Sequence, residues 1–133
     1  AAVANYKINN KLNNITKKRI KNALMLDKLF ERNPNVKTVK RMKYLKEVFH
    51  LYHINVERRD ELQKYLLKYN IDAKIHYPKP IHLQPAAKYL KHKKGDFPNA
   101  ERIANTTLSL PVHEFINEKH IRHMASLINN FYK

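Results

Sequence analysis

The sequence predicts an α+β fold, a small sheet of about three strands covered by helices. Three observations carry that expectation. Residues 1–32 contain no Gly or Pro and place apolar residues at helical spacing. The run EVFHLYHINV at 47–56 is β-branched and aromatic with no breaker, the signature of a buried strand. Helical stripes recur at 58–69 and 117–132, so helices and strands alternate and must cover one another.

In chain order, Ile8, Leu12 and Ile15 form one helical set, and Ile20, Ala23, Leu24 and Phe30 another. The polar pair Asn13-Asn14 and a potential cap at Thr16 predict one long helix or two with a break near 13–16. Asn33-Pro34-Asn35 ends it. Residues 36–41 form a short candidate strand. In 47–56, His50, Tyr52, Ile54 and Val56 face one side, while Phe49, Leu51, His53 and Asn55 face the other. Leu62, Tyr65, Leu66 and Tyr69 give the next helix its stripe, and Asn70 suits a left-handed C-cap. Residues 71–76 are a second full strand. Tyr77-Pro78-Lys79-Pro80 is an irregular loop, because each residue before a Pro is pushed out of the helical region. Residues 84–91 and 98–107 are short helices. Leu108-Ser109-Leu110-Pro111 is extended. The closing helix turns Ile121, Met124, Ala125, Leu127 and Ile128 inward.

Composition excludes several chemistries. The 133 residues contain no Cys, which rules out disulfides, thiolate metal sites and Cys nucleophiles, and fits a cytoplasmic protein. A single glycine, Gly95, leaves no Gly-rich phosphate loop. No apolar run approaches the roughly 18 residues of a membrane helix, and no signal-peptide core opens the chain. The start Ala1-Ala2-Val3-Ala4 lacks a Met and a cap, as expected of a boundary inside a longer protein. The net charge of +16 raises the question of nucleic acid. Twenty of the 27 basic residues are Lys, in a chain also rich in Asn and Ile, so codon composition explains the charge as well. No aromatic ladder interleaved with Arg is present, and the sequence argues against nucleic acid. A basic module for nucleic acid or another anionic partner is the competing reading, and it predicts steeply salt-dependent binding.

The eight His residues do not form a metal set. His50 and His53 fall on opposite strand faces, and His120 and His123 have no third ligand at suitable spacing. Arg59 and Asp60 are read as helix-start residues, with Asp60 favouring the N-terminal dipole. The stretch HYPKPIHLQP at 76–85 differs. Its prolines stiffen a loop that presents His76, Tyr77, His82 and Gln84, the kind of segment where sites are built. A structural Pro loop with a packed Tyr explains it equally well.

The segment HLYHINVERRDELQKYLLKYNIDAKIHYPKPIHLQP, followed by GDFPNAERIANTTLSLPVHEF, resembles the C-terminal portion of the DegT/DnrJ/StrS family of nucleotide-sugar aminotransferases. The marks are the aromatic strand 49–56, Arg59-Asp60-Glu61-Leu62, the His76-Tyr77-Pro78 loop with Pro80 and His82, Phe97-Pro98 with Ala100-Glu101, and Leu108-Ser109-Leu110-Pro111. Asn70 and Glu114 depart from it, standing where Gly and Pro are common in the family. The resemblance implies the small C-terminal domain of a fold-type-I enzyme at 34–133, with residues 1–33 linking it to a missing large domain. It implies pyridoxal phosphate as the cofactor of the full-length enzyme, bound upstream with its Schiff-base lysine. No Lys here matches that position, so the piece alone is expected to be inactive. A nucleotide-sugar substrate, an amino-acid donor such as glutamate, and a homodimer are implied in the same way. So are His76 and Tyr77 as substrate contacts, with His82 supporting. In isolation the helix bearing Val3, Tyr6 and Ile8 is expected to expose apolar surface.

Overall fold

A computed structural model of the chain describes residues 1–42 and 44–133. Helices α1 (Ala2–Asn10) and α2 (Leu12–Phe30) lead into strand β1 (Val36–Thr38). Strand β2 (Tyr52–Val56) and helix α3 (Arg59–Lys68) follow. Two 3-10 turns, Ile81–Leu83 and Pro85–Leu90, precede helix α4 (Pro98–Thr106), strand β3 (Thr107–Leu110) and helix α5 (Glu118–Phe131). The sheet has the order β1-β2-β3 and is antiparallel throughout, with Val36 opposite Val56, Tyr52 opposite Leu110 and His53 opposite Ser109. This is the α+β architecture the sequence predicts.

Side-chain alternation divides the sheet into two faces. Tyr52, Ile54, Val56, Leu108 and Leu110 join Ala23, Leu26 and Phe30 of α2, Leu62 and Leu66 of α3, and Ile121, Met124, Ala125 and Ile128 of α5 in one apolar core. The inward residues expected of α5 are all buried. Its N-terminus carries a capping box: Asn117 accepts from the His120 amide at 3.1 Å and His120 Nδ1 accepts from the Asn117 amide at 3.4 Å. The opposite sheet face carries His53, Asn55, Thr107 and Ser109, and α4 lies over it, with Thr106 Oγ1 3.3 Å from Asn55 Oδ1.

Several local expectations are corrected. The helix break falls at Lys11, not at 13–16, and Thr16 lies inside α2 rather than capping it. The Asn10 side chain donates to the Tyr6 carbonyl at 2.9 Å, a local bond that competes with helix continuation. In α2 the buried apolar residues are Ala23, Leu26 and Phe30, while Leu24 is exposed. The strand expected at 47–56 begins only at Tyr52. Phe49 has φ of 52°, and Arg19 Nη1 takes the Phe49 and His50 carbonyls at 3.2 and 3.1 Å, so those groups leave the ladder. His50 is consequently exposed rather than on the core face.

Residues 71–76 make a single bridge, Lys74 to Ser109, instead of a strand. The Ala73 carbonyl goes to Gln63 Nε2 at 2.8 Å, which diverts a ladder acceptor to a side chain. Residues 85–90 wind as a 3-10 helix. Two left-handed residues bracket α3. Arg58 has φ of 53° before it, and Asn70, φ 59°, ends it in the conformation the sequence anticipates. Glu114, the other departure from the family pattern, pairs with Arg19 at 3.5 Å.

Candidate functional site

The Pro-rich loop and α4 enclose an open cleft of about 530 Å³. Its walls are largely apolar, including Ile81, Leu90, Phe97 and Ile103. His76, Tyr77, His82 and Gln84, all singled out in the sequence, line it together. The bridge from Lys74 to Ser109 starts the loop on the sheet face opposite the core, and His76, two residues on, reaches the same serine.

The three candidate residues are held differently. His76 Nδ1 lies 2.9 Å from Ser109 Oγ. Tyr77 is 71% exposed, and its hydroxyl makes no hydrogen bond among the described residues; its ring meets His76 edge-on. His82 is nearly buried. Its Nε2 is 3.1 Å from Glu101 Oε1, and its ring meets that of Phe97 at a tilt, with centroids 4.8 Å apart. His82 thus ties the loop to the first turn of α4. Glu101 is a junction, since the Gly95 amide donates to the same oxygen at 2.7 Å. That amide first, and then His82, holds the Glu101 carboxyl below the usual carboxylate range. Gly95 has φ of 99°, a conformation open to glycine alone at low cost, which places the chain's single glycine at this turn.

Four residues were not anticipated in the site: Ser109, Glu101, His53 and Arg59. His53, read as a surface or partly packed side chain, sits with Nδ1 2.9 Å from Ser109 Oγ. Burial, then the neighbouring His76, pushes its imidazole below the ordinary value. Strand alternation held the signal: His53 alternates with Tyr52 and Ile54, as Ser109 does with Leu108 and Leu110. Arg59, read as a helix-start residue, is also buried. Its Nη1 donates to the Ala104 carbonyl at 2.8 Å and lies 3.4 Å from that of Thr107. It therefore caps the C-terminal end of α4 behind the cleft wall.

Pyridoxal phosphate bound as a Schiff base requires a lysine of depressed pKa, which needs desolvation or a cationic neighbour in a pocket. Every described lysine is exposed, so none of the described residues offers that desolvated setting. Among the described residues no group of three His, Asp or Glu is arranged to hold a metal ion. No helix among them is long and apolar enough to cross a membrane.

A three-stranded antiparallel sheet under helices is a fold shared with part of several solved aminotransferases. The fold matches that of S. venezuelae DesV, solved in complex with a ketimine intermediate, at a TM-score of 0.85 and 27% identity over 90% of this chain and 32% of that one. A DegT DnrJ EryC1 StrS aminotransferase from Brucella abortus matches at 0.79 and 27% identity, over 88% and 31%. The chain matches the model of the DegT/DnrJ/EryC1/StrS aminotransferase family over residues 1–129, and it belongs to that family.

Among curated relatives, a pleiotropic regulatory protein of Geobacillus stearothermophilus is 36% identical over 120 residues, 89% of this chain and 32% of that protein. The dTDP-3-amino-3,4,6-trideoxy-alpha-D-glucose transaminase of Streptomyces venezuelae is 45% identical over 65 residues, 49% of this chain and 17% of that protein. The chain spans about a third or less of the length of these relatives.

Proposed function

We propose that this chain is the C-terminal part of a pyridoxal-phosphate-dependent aminotransferase. The whole enzyme transfers an amino group from an amino acid, glutamate, to a keto-sugar linked to a nucleoside diphosphate. In this reading residues 34–133 are the small domain and 1–33 its connection to a larger one. The protein is cytoplasmic and dimeric, and the chain alone is inactive. The cofactor's covalent and phosphate contacts lie outside this chain, whose own part is to bind and orient the sugar substrate. His76 and Tyr77 hydrogen-bond sugar hydroxyls or phosphate oxygens, and His82 braces the loop through Glu101.

The observation that carries the reading is the cleft. An apolar-walled cavity of about 530 Å³ with a few convergent polar groups is the usual form of a small-molecule site. Its lining includes His76, Tyr77, Pro80 and His82 of the loop that marks the family resemblance.

The test uses the protein encoded by this chain together with its upstream coding sequence, supplied with glutamate and nucleotide-linked keto-sugars. Amino transfer to one of them is expected, and its absence with every keto-sugar tried rejects the reading. His76→Ala in that protein is expected to raise KM for the sugar about tenfold, the loss of one good hydrogen bond. Unchanged KM and kcat remove His76 from the contact set. The present chain alone is expected to show neither activity nor the visible absorbance of bound pyridoxal phosphate.

A further inference from the structure

Ser109 joins two imidazoles. Its Oγ is 2.9 Å from Nδ1 of His53 on β2 and 2.9 Å from Nδ1 of His76 in the Pro-rich loop. His53 and Ser109 are register partners, and Lys74 bridges Ser109 from the other side, so one sheet face collects all three groups. Ser109 is buried, and among the described residues its hydroxyl has no further partner.

A hydroxyl carries one proton and two lone pairs, and a neutral imidazole carries one N–H. Suppose both rings kept their proton on Nε2. Ser109 could then donate to one Nδ1, and the other Nδ1 lone pair would face an oxygen lone pair. Suppose instead that both held it on Nδ1. Both would donate to Oγ, and the buried seryl proton would have no acceptor, a desolvation cost with no return. The remaining arrangement satisfies every atom: one ring donates to Oγ, and Oγ donates to the other ring. Burial and His76 hold His53 below the ordinary imidazole value, with Glu47 opposing and Arg41 reinforcing, which keeps that ring neutral near physiological pH.

We infer that His53, Ser109 and His76 form a tautomer-locking bridge, in which one ring carries its proton on Nδ1 and the other on Nε2. Nδ1 of His76 is committed to Ser109, so Nε2 is the one polar ring atom left for the cleft. The bridge therefore couples the state of His53 on the sheet to what His76 offers a ligand, an N–H donor or a lone-pair acceptor. His53 and Ser109 become positioning residues for His76, a role that rests on reading His76 as a substrate contact. A donor there matches a phosphate or keto oxygen, and an acceptor matches a sugar hydroxyl.

The experiment is long-range proton–nitrogen NMR on the 133-residue chain with labelled imidazoles, at about pH 8.5, two units above the ordinary imidazole value. Complementary tautomers at His53 and His76 are expected, and the same tautomer on both rings overturns the bridge. Ser109→Ala should return both rings to the Nε2–H form that free imidazole side chains favour, while Ser109→Thr, which keeps a hydroxyl, should retain the parent pattern. A parent pattern that persists in Ser109→Ala also overturns the bridge. If Ser109→Ala does not fold, the parent and Ser109→Thr spectra decide alone. His76→Ala kinetics test the contact role separately. Complementary tautomers with an inert His76→Ala keep the bridge and reject the contact, and matching tautomers with a damaging His76→Ala do the reverse.

Discussion

Arg59→Ala tests whether the cleft wall is held from behind. The Arg59 guanidinium donates to the Ala104 carbonyl at 2.8 Å and lies 3.4 Å from that of Thr107, at the C-terminal end of α4. A hydrogen bond involving a charged group contributes about 1.5–3 kcal/mol, and a cation at a partly buried helix C-terminus adds up to about 2 kcal/mol. The two overlap, and the 3.4 Å contact is weak, so a loss of about 2–4 kcal/mol is expected. The ion pair from Nε to Asp60 at 2.7 Å adds little, because Asp60 is exposed and the alignment is not that of a hydrogen bond. For a chain of 133 residues, a melting entropy of about 2.1 cal/mol/K per residue gives roughly 3.6 °C per kcal/mol. Tm should fall by about 7–14 °C. Denaturant titration gives the free energy, and hydrogen exchange should show protection lost first at the end of α4. Arg59→Lys, which keeps the charge but loses the fork of donors, should recover about half. A loss below about 1 kcal/mol, or exchange that leaves α4 unaffected, refutes the capping role.

Tyr52→Phe removes the hydroxyl that donates to Asp27 Oδ1 at 2.7 Å, and should cost about 1.5–2 kcal/mol in denaturant unfolding. Asn70 sits at φ 59°, so Asn70→Ala should cost about 1 kcal/mol while Asn70→Gly is close to neutral, as read from paired thermal melts. His53 titrates below the ordinary imidazole value when folded, so the unfolded chain binds the extra proton. Its contribution is whole above about pH 6.5 and is lost as pH falls from there through its folded range. His53→Gln should flatten that slope in Tm measured between pH 5 and 7.5. Glu101, held below its ordinary value, loses its contribution only at lower pH, which separates the two effects.

Where side-chain pattern alone decided the outcome, the sequence was legible. The inward face of α5, the alternation over Tyr52–Val56 and the left-handed Asn70 follow from periodicity and from the tolerance of Asn for positive φ. Three of the misjudged elements share one cause: a backbone group was claimed by a distant or local side chain. Arg19 takes the carbonyls of Phe49 and His50, Gln63 takes that of Ala73, and Asn10 bonds back to Tyr6. None of these bonds has a periodic signature. In the site, the loop bearing His76, Tyr77 and His82 was visible from its prolines. Its partners Ser109, His53 and Glu101 were separated from it by pairing and packing that no local pattern states. Arg59 does start α3, as read, but its guanidinium also answers carbonyls 45 and 48 residues away, which no local pattern states.

Helix α1 buries none of its residues, and Val3, Tyr6 and Ile8 are each more than half exposed. The helix joins α2 through Lys11, whose amide bonds the Lys7 carbonyl at 2.9 Å, but no tertiary packing holds it, and nine residues without packing are marginal in water. The helical content of this chain is therefore of two kinds. Most of it melts with the core, while α1 frays on its own, as a gradual slope in circular dichroism ahead of the main transition. Removing residues 1–11 should erase that slope and leave the midpoint within about 1 °C, since nothing in α1 belongs to the cooperative unit.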